Sequence, residues 1–350
     1  MEALDVISRW TVPACVLSGP PPATDWLING WLQSTAAGTI CAPGATGKTT
    51  LLIDLCVSIA TGLPFLGRAV ERPGSTVLIS LEDDLGDLLA VWQEVVRTRV
   101  ESNPDLLERC RIGNRLFSHV TLQQRPTFAT HDGRMMVPTA YGSGLIERLR
   151  EIPDLRLIVL DTLRLFAGGD LNDSVVASVV TSEVTKIAKS LRCAVMLSHH
   201  MPKAVATGVV ASGQYSASGS AAIVDNLRFA WTLMPASKAL SARTGTKAYT
   251  LTSTRGALMA ERPQPIHITR QGFTFSAIPS ETSRPAPGQD LSAHLPCTFA
   301  RAVELIGGRL TDARKSLNAR IEAGELRVTG RGVAGDPKMV HLVSSQPLVP

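Results

Sequence analysis

The sequence is short of charge: Asp, Glu, Lys and Arg make up only 19% of its 350 residues, against 44% hydrophobic ones. That balance favours a buried core and excludes a disordered chain. Six cysteines, Cys15, Cys41, Cys56, Cys110, Cys193 and Cys297, form no C-x-x-C pair, so no zinc site is expected. Cys41, Cys56 and Cys193 lie in apolar stretches and read as buried thiols. The N-terminus lacks a basic segment followed by an apolar run, and no apolar run reaches transmembrane length. The expectation is a cytoplasmic protein with no membrane partner. A net charge of +5 suits an anionic partner such as nucleic acid, and equally an ordinary soluble surface.

The length allows one large domain, or one domain with a small appendage. Residues 1–37 form an N-terminal arm rich in Pro and Trp, ending in a short packed element at 25–32. Four apolar runs, 38–41, 75–81, 155–160 and 193–198, read as buried strands. Segments 49–61 and 176–191 carry apolar residues at helical spacing between them. Strands alternating with helices predict an α/β fold on a mostly parallel sheet, over a core of 38–279. Residues 204–222 are almost all small and predict a mobile loop. Runs at 228–234, 248–254, 266–269 and 273–275 read as strands finishing the sheet, whereas 98–140 suggests no arrangement. Residues 280–290 read as a linker. Beyond it, 291–350 predicts helices at 299–306 and 311–323, the second capped by Thr311 and stopped by Gly324, then a hairpin of 326–329 and 339–343. Helix, turn, helix and hairpin predict a winged-helix-like domain.

The chemistry concentrates at strand ends. Ala42-Pro43-Gly44-Ala45-Thr46-Gly47-Lys48-Thr49 follows a strand and opens a helix, the context of a phosphate loop. Pro43, Gly44, Ala45, Thr46, Gly47, Lys48, Thr49 and Thr50 are the expected nucleotide cradle. Backbone N–H groups meet the phosphates of ATP, Lys48 adds charge at the β and γ positions, and the Thr49 hydroxyl reaches Mg²⁺. Ala42 stands where such loops usually begin with Gly. Asp161, closing the run 155–160, is placed to hold Mg²⁺ through water, a reading the phosphate loop favours over a helix-cap or turn aspartate. Glu82, at another strand end, suits the base that polarises the attacking water, with Asp83 and Asp84 as competitors. His199 and His200 end the run 193–198, where a histidine can meet the γ-phosphate; a structural role weighs equally.

With these stations in order, the chain resembles the plasmid RepA-type hexameric replicative helicases, members of the RecA-like AAA ATPases. The likeness rests on the phosphate loop, Leu81-Glu82-Asp83, Ile158-Val159-Leu160-Asp161-Thr162-Leu163-Arg164, Ser198-His199-His200-Met201-Pro202-Lys203 and Val224-Asp225-Asn226-Leu227-Arg228. It implies a RecA-like core in a homo-oligomeric, hexameric ring with ATP between subunits. It also implies Glu82 as catalytic carboxylate, Asp161 as the Walker B carboxylate and His200 as γ-phosphate sensor. Arg228 and Arg255 would reach a neighbour's nucleotide, and the loop from Lys203 to residue 220 would line a channel for single-stranded DNA. The family's helix after the catalytic glutamate carries a further arginine, but here it reads Asp87-Leu88-Leu89-Ala90-Val91. The expected function is an ATP-hydrolysing DNA helicase or translocase of plasmid, phage or mobile-element replication, with replication proteins as partners. The alternatives are a non-motor ATPase of recombination and an ATP-switched DNA-binding regulator. On the C-terminal unit, Arg314, Lys315 and Arg320 would face DNA phosphates, in a field diluted by Glu304, Asp312, Glu322 and Glu325; the rival is a unit that binds a partner protein or caps the ring.

Overall fold

The computed structural model describes residues 24–101, 115–120, 126–201, 221–256, 263–278, 297–298, 302, 310–323, 325–329 and 339–342. By internal contacts the chain divides into two units, Met1–Ile278 and Pro279–Pro350.

In the first unit, strands β1 (Trp26–Ile28) and β2 (Leu32–Gln33) pair as a small hairpin. Then follow β3 (Ala37–Ala42), α1 (Lys48–Thr61), β4 (Ser75–Ser80), α2 (Leu85–Glu101) and β5 (Leu116–Val120). A second hairpin, β6 (Ala129–His131) with β7 (Met136–Pro138), leads to α3 (Tyr141–Leu149), β8 (Leu155–Asp161), the single turn α4 (Leu163–Phe166), α5 (Ser174–Leu191) and β9 (Ala194–His200). Last come α6 (Ala221–Asn226), β10 (Phe229–Pro235), α7 (Lys238–Thr244), β11 (Lys247–Gly256), β12 (Ile266–Gln271) and β13 (Thr274–Ala277).

Nine strands form one sheet in the order β13-β12-β11-β10-β3-β9-β8-β4-β5. From β10 to β5 every pair is parallel, and β11, β12 and β13 continue the sheet antiparallel. The central parallel strands are mostly apolar because helices cover both faces; all six residues of β3 are buried. One face packs against α1 and α2, the other against α3 and α5. Trp31 meets Trp231 edge-on at 5.5 Å, and the Trp231 indole N–H donates to the Trp31 carbonyl at 3.3 Å, which ties the N-terminal hairpin to the sheet. This is an α/β, RecA-like phosphate-loop core.

The second unit contains β14 (Cys297–Thr298), α8 (Leu310–Glu322), β15 (Leu326–Thr329) and β16 (Met339–Leu342). The sheet runs β14-β16-β15, and Leu317, Leu326 and Val340 are buried.

Several expectations change. The expected mobile loop lies outside the described residues up to residue 220, and its last two residues, Ala221 and Ala222, belong to α6, where Ile223 and Val224 have apolar partners to bury against. Thr311 lies inside the first turn of α8 and does not cap it. Residues 98–140, which suggested no arrangement, supply the end of α2, β5 and the β6–β7 hairpin. The expected linker and Gly324 lie outside the described residues, as does the helix at 299–306 apart from Ala302.

Candidate nucleotide site

In an open α/β sheet, ligands bind beyond the carboxyl ends of strands where connections diverge to either side. Strand β3 is such a position: the chain leaves it for β4 and later returns to β10 on its other flank. The expected phosphate loop leaves its carboxyl end. Gly47 sits at the N-cap of α1 with φ 87°, a left-handed conformation that glycine adopts without penalty. Ala45 is also left-handed, at φ 59°. Thr46 braces the turn, its hydroxyl donating to the Pro43 carbonyl at 2.8 Å. No side chain caps α1. Its first N–H groups are therefore open to an anion, and the helix dipole favours one there.

The chemistry-bearing side chains converge on this edge. Asp161 ends β8, 1% exposed, and one carboxylate oxygen accepts the Thr49 hydroxyl at 2.7 Å. The other oxygen is buried with no hydrogen-bond partner among the described residues. A hydroxyl beside a carboxylate with a spare buried oxygen is a hard-oxygen donor set that fits Mg²⁺. Lys48 is nearly buried, and its ammonium lies 3.5 Å from Nδ1 of His200. Burial holds its pKa below the ordinary lysine value, and the carboxylates of Asp161 and Glu82 act against that only in part. Nε2 of His200 lies 3.6 Å from a carboxylate oxygen of Glu82. Lys48, His200 and Glu82 thus form a relay. With Lys48 charged, Nδ1 is the acceptor and Nε2 carries the proton facing Glu82.

Strand alternation separates the two histidines: His199 is buried, while His200 faces the site. It separates the acidic cluster less sharply. Ser80 accepts the N–H groups of Glu82 and Asp83 at 3.4 and 3.3 Å, fixing the turn. Glu82 reaches His200, whereas the pKa of Asp83 is raised by partial burial and by the carboxylates around it. A cleft of about 570 Å³ opens beside these groups, lined by Glu82, Thr162, Arg164 and His200 among others.

Other expected residues lie elsewhere. The Arg228 N–H donates to the Ala37 carbonyl at 2.9 Å, and Arg255 pairs in register with Ala230. Arg228 therefore sits at the start of β3, about 16 Å along the strand from the loop, and the Arg255 backbone on β11 is level with Thr39, about 10 Å from the strand's end, at roughly 3.3 Å per residue. The Arg228 backbone is thus at the strand end away from the phosphate loop of its own chain. Lys203 lies outside the described residues. Within the second unit, Lys315 is exposed on α8, and Arg320 is paired with Glu325 at 2.8 Å, which ties up charge expected to face DNA. Arg314 lies on the same helix. Sequence reasoning quoted Arg164 in a motif without assigning it a place, and it missed Arg270 altogether. Its guanidinium packs against Gly47 from β12, a neighbour that sequence spacing cannot signal.

A family model for an AAA domain matches residues 6–206, more than half of the chain, and spans the loop, Glu82, Asp161 and His200. The chain belongs to this AAA domain family. Among solved structures it is similar to a KaiC-like protein of the hyperthermophilic archaeon Pyrococcus horikoshii OT3, at 12% identity and a TM-score of 0.43, over 72% of this chain and 94% of that one. Membership makes the protein a RecA-like phosphate-loop ATPase, of a family that binds nucleotide and usually Mg²⁺. No described helix is long and apolar enough to cross a membrane.

Proposed function

We propose that this ATPase is a ring-forming motor that moves on single-stranded DNA, a helicase or translocase of the RepA type serving plasmid, phage or mobile-element replication. The observation that carries the reading is the relay Lys48–His200–Glu82. His200 ends β9, and Met201 and Pro202 lead from it to Lys203 and the small-residue stretch that follows. A γ-phosphate lying between Lys48 and Glu82 would be sensed by a histidine at the head of that segment. Its loss on hydrolysis would then be transmitted to a segment suited to contact DNA.

In this reading Lys48 and the first N–H groups of α1 bind the phosphates, and Thr49 with Asp161 would hold Mg²⁺, which would supply charge neutralisation on the phosphates. Glu82 orients and deprotonates the attacking water. Arg228, at the far end of β3 from its own loop, and Arg255 beside it on β11 suit a neighbour's nucleotide in a head-to-tail ring. The basic residues of α8 belong to a winged-helix-like domain that contacts DNA or a replication protein.

The experiment is strand displacement on a forked duplex with ATP and Mg²⁺. ATP-dependent release of the labelled strand, absent in Lys48→Ala, supports a motor. ATP hydrolysis without displacement on forks of either polarity would remove the helicase reading and leave an ATP-driven switch.

A further inference from the structure

We propose that Arg270 is a phosphate-binding residue of its own subunit's nucleotide site; the proposal rests on the reading of the loop at Gly47 and Lys48 as an ATP site. Arg270 lies on β12, three strands from β3. The sheet nevertheless brings β13 back onto the helix layer: Phe275 shares the core of α1, and the Thr274 hydroxyl donates to that of Thr98 on α2 at 3.5 Å. The β12–β13 turn thereby carries Arg270 to the N-terminus of α1. A Cβ on Gly47 would lie 2.3 Å from Nη1, 2.5 Å from Cζ and 3.0 Å from Nε of Arg270. The guanidinium therefore occupies the space left by the missing side chain of the loop glycine.

Its position is held at one end. Nε donates to the Gly272 carbonyl at 3.0 Å, and Cζ lies 5.6 Å from the centre of the Phe275 ring. The two Nη groups make no hydrogen bond, and no carboxylate pairs with the guanidinium, among the described residues. The helix end that the guanidinium packs against is positive. The first turn of α1 is uncapped and carries no acidic residue, its dipole presents positive charge, and Lys48 is the first residue of that turn. A guanidinium set against a helix N-terminus and a buried lysine is unfavourable unless an anion joins them. A polyphosphate cradled by the loop does so, accepting from the open N–H groups and from the free fork of Arg270 at once. Because β12 belongs to the same chain, this arginine is present in a single subunit, unlike one supplied by a neighbour.

The test is a titration of the purified full-length protein with a fluorescent ADP, competed by ATP and by ADP, in the parent, Lys48→Ala, Arg270→Ala, Arg270→Lys and Arg270→Gln. Losing charge-assisted bonds to phosphate weakens ATP and ADP alike by about 10–100-fold in Arg270→Ala. Arg270→Lys recovers part of the loss and the neutral Arg270→Gln recovers none, with unliganded melting temperatures near parental. Unchanged or tighter binding in Arg270→Ala, while Lys48→Ala loses binding, overturns the proposal and leaves the loop assignment standing. Should Arg270→Ala fail to fold, equal affinities in Arg270→Lys and Arg270→Gln overturn it instead. A parent that binds neither nucleotide overturns the proposal together with the ATP-site reading.

Discussion

Replacing Glu82 by glutamine separates binding from chemistry. The amide keeps the shape of the side chain and loses the lone proton acceptor. Glu82 is about half exposed, 3.6 Å from His200, and takes no part in the Thr49–Asp161 contact. The fold and the phosphate cradle should therefore survive. The Glu82 carboxylate is one of the influences that raise the pKa of Lys48, but it ranks below burial and below Asp161, so the lysine's charge changes little. A positioned general base is worth about 10²–10⁴ in rate, or roughly 3–5 kcal/mol of barrier. Glu82→Gln should thus bind ATP within about threefold of parental affinity, while single-turnover phosphate release slows by about 10²–10⁴. Rapid-mix phosphate release, with fluorescent-nucleotide binding on the same preparation, reads both quantities. Near-parental release in Glu82→Gln, with a dead Asp83→Asn, would transfer the base to Asp83 and refute the role drawn from the His200 contact.

Burial lowers the pKa of Lys48, so its unliganded ammonium loses its proton at a pH below the ordinary value of 10.5, and bound phosphates favour the charged form. ATP affinity should fall as pH rises through that lowered pKa, with proton uptake on binding. Calorimetry in two buffers of different ionisation enthalpy would detect the uptake; equal heats at alkaline pH would contradict it. Subunits carrying Arg228→Ala should regain some turnover when mixed with Lys48→Ala subunits, since one boundary then pairs an intact loop with an intact arginine; mixed rings without recovery would argue against action in trans. Trp231→Ala removes a 1% exposed ring that packs on Trp31, Phe65 and Phe229. It should cost about 3–5 kcal/mol in chemical denaturation, and a loss below 1 kcal/mol would contradict the core described.

The catalytic edge was legible because its parts are local. A buried parallel strand reads as an apolar run, and the residue following it is the one delivered to the carboxyl edge, which is how Asp161, Glu82 and His200 stand out. Between His199 and His200 only the resemblance chose; the residues alone left both open, because the phase of β9, on which neighbours face opposite ways, is not legible at a strand's end. Strand β5 and the β6–β7 hairpin stayed hidden because their segments are short and only partly buried, with little alternation to read. Arg270 was invisible for another reason. Its place beside Gly47 depends on how far the antiparallel strands β11, β12 and β13 curl back over α1, and no sequence period encodes that. On α8, the basic residues are plain in the sequence, but the pairing of Arg320 with Glu325 appears only in three dimensions.

The proposed coupling of ATP turnover at Lys48, His200 and Glu82 to DNA meets its most direct test in steady-state ATP hydrolysis by the purified protein with and without single-stranded DNA. The coupling predicts a rate that rises on adding single-stranded DNA and saturates with it, and a stimulation that disappears in His200→Ala while ATP binding persists. A rate unchanged by single-stranded DNA at every concentration, in protein that hydrolyses ATP and loses the activity in Lys48→Ala, would contradict it.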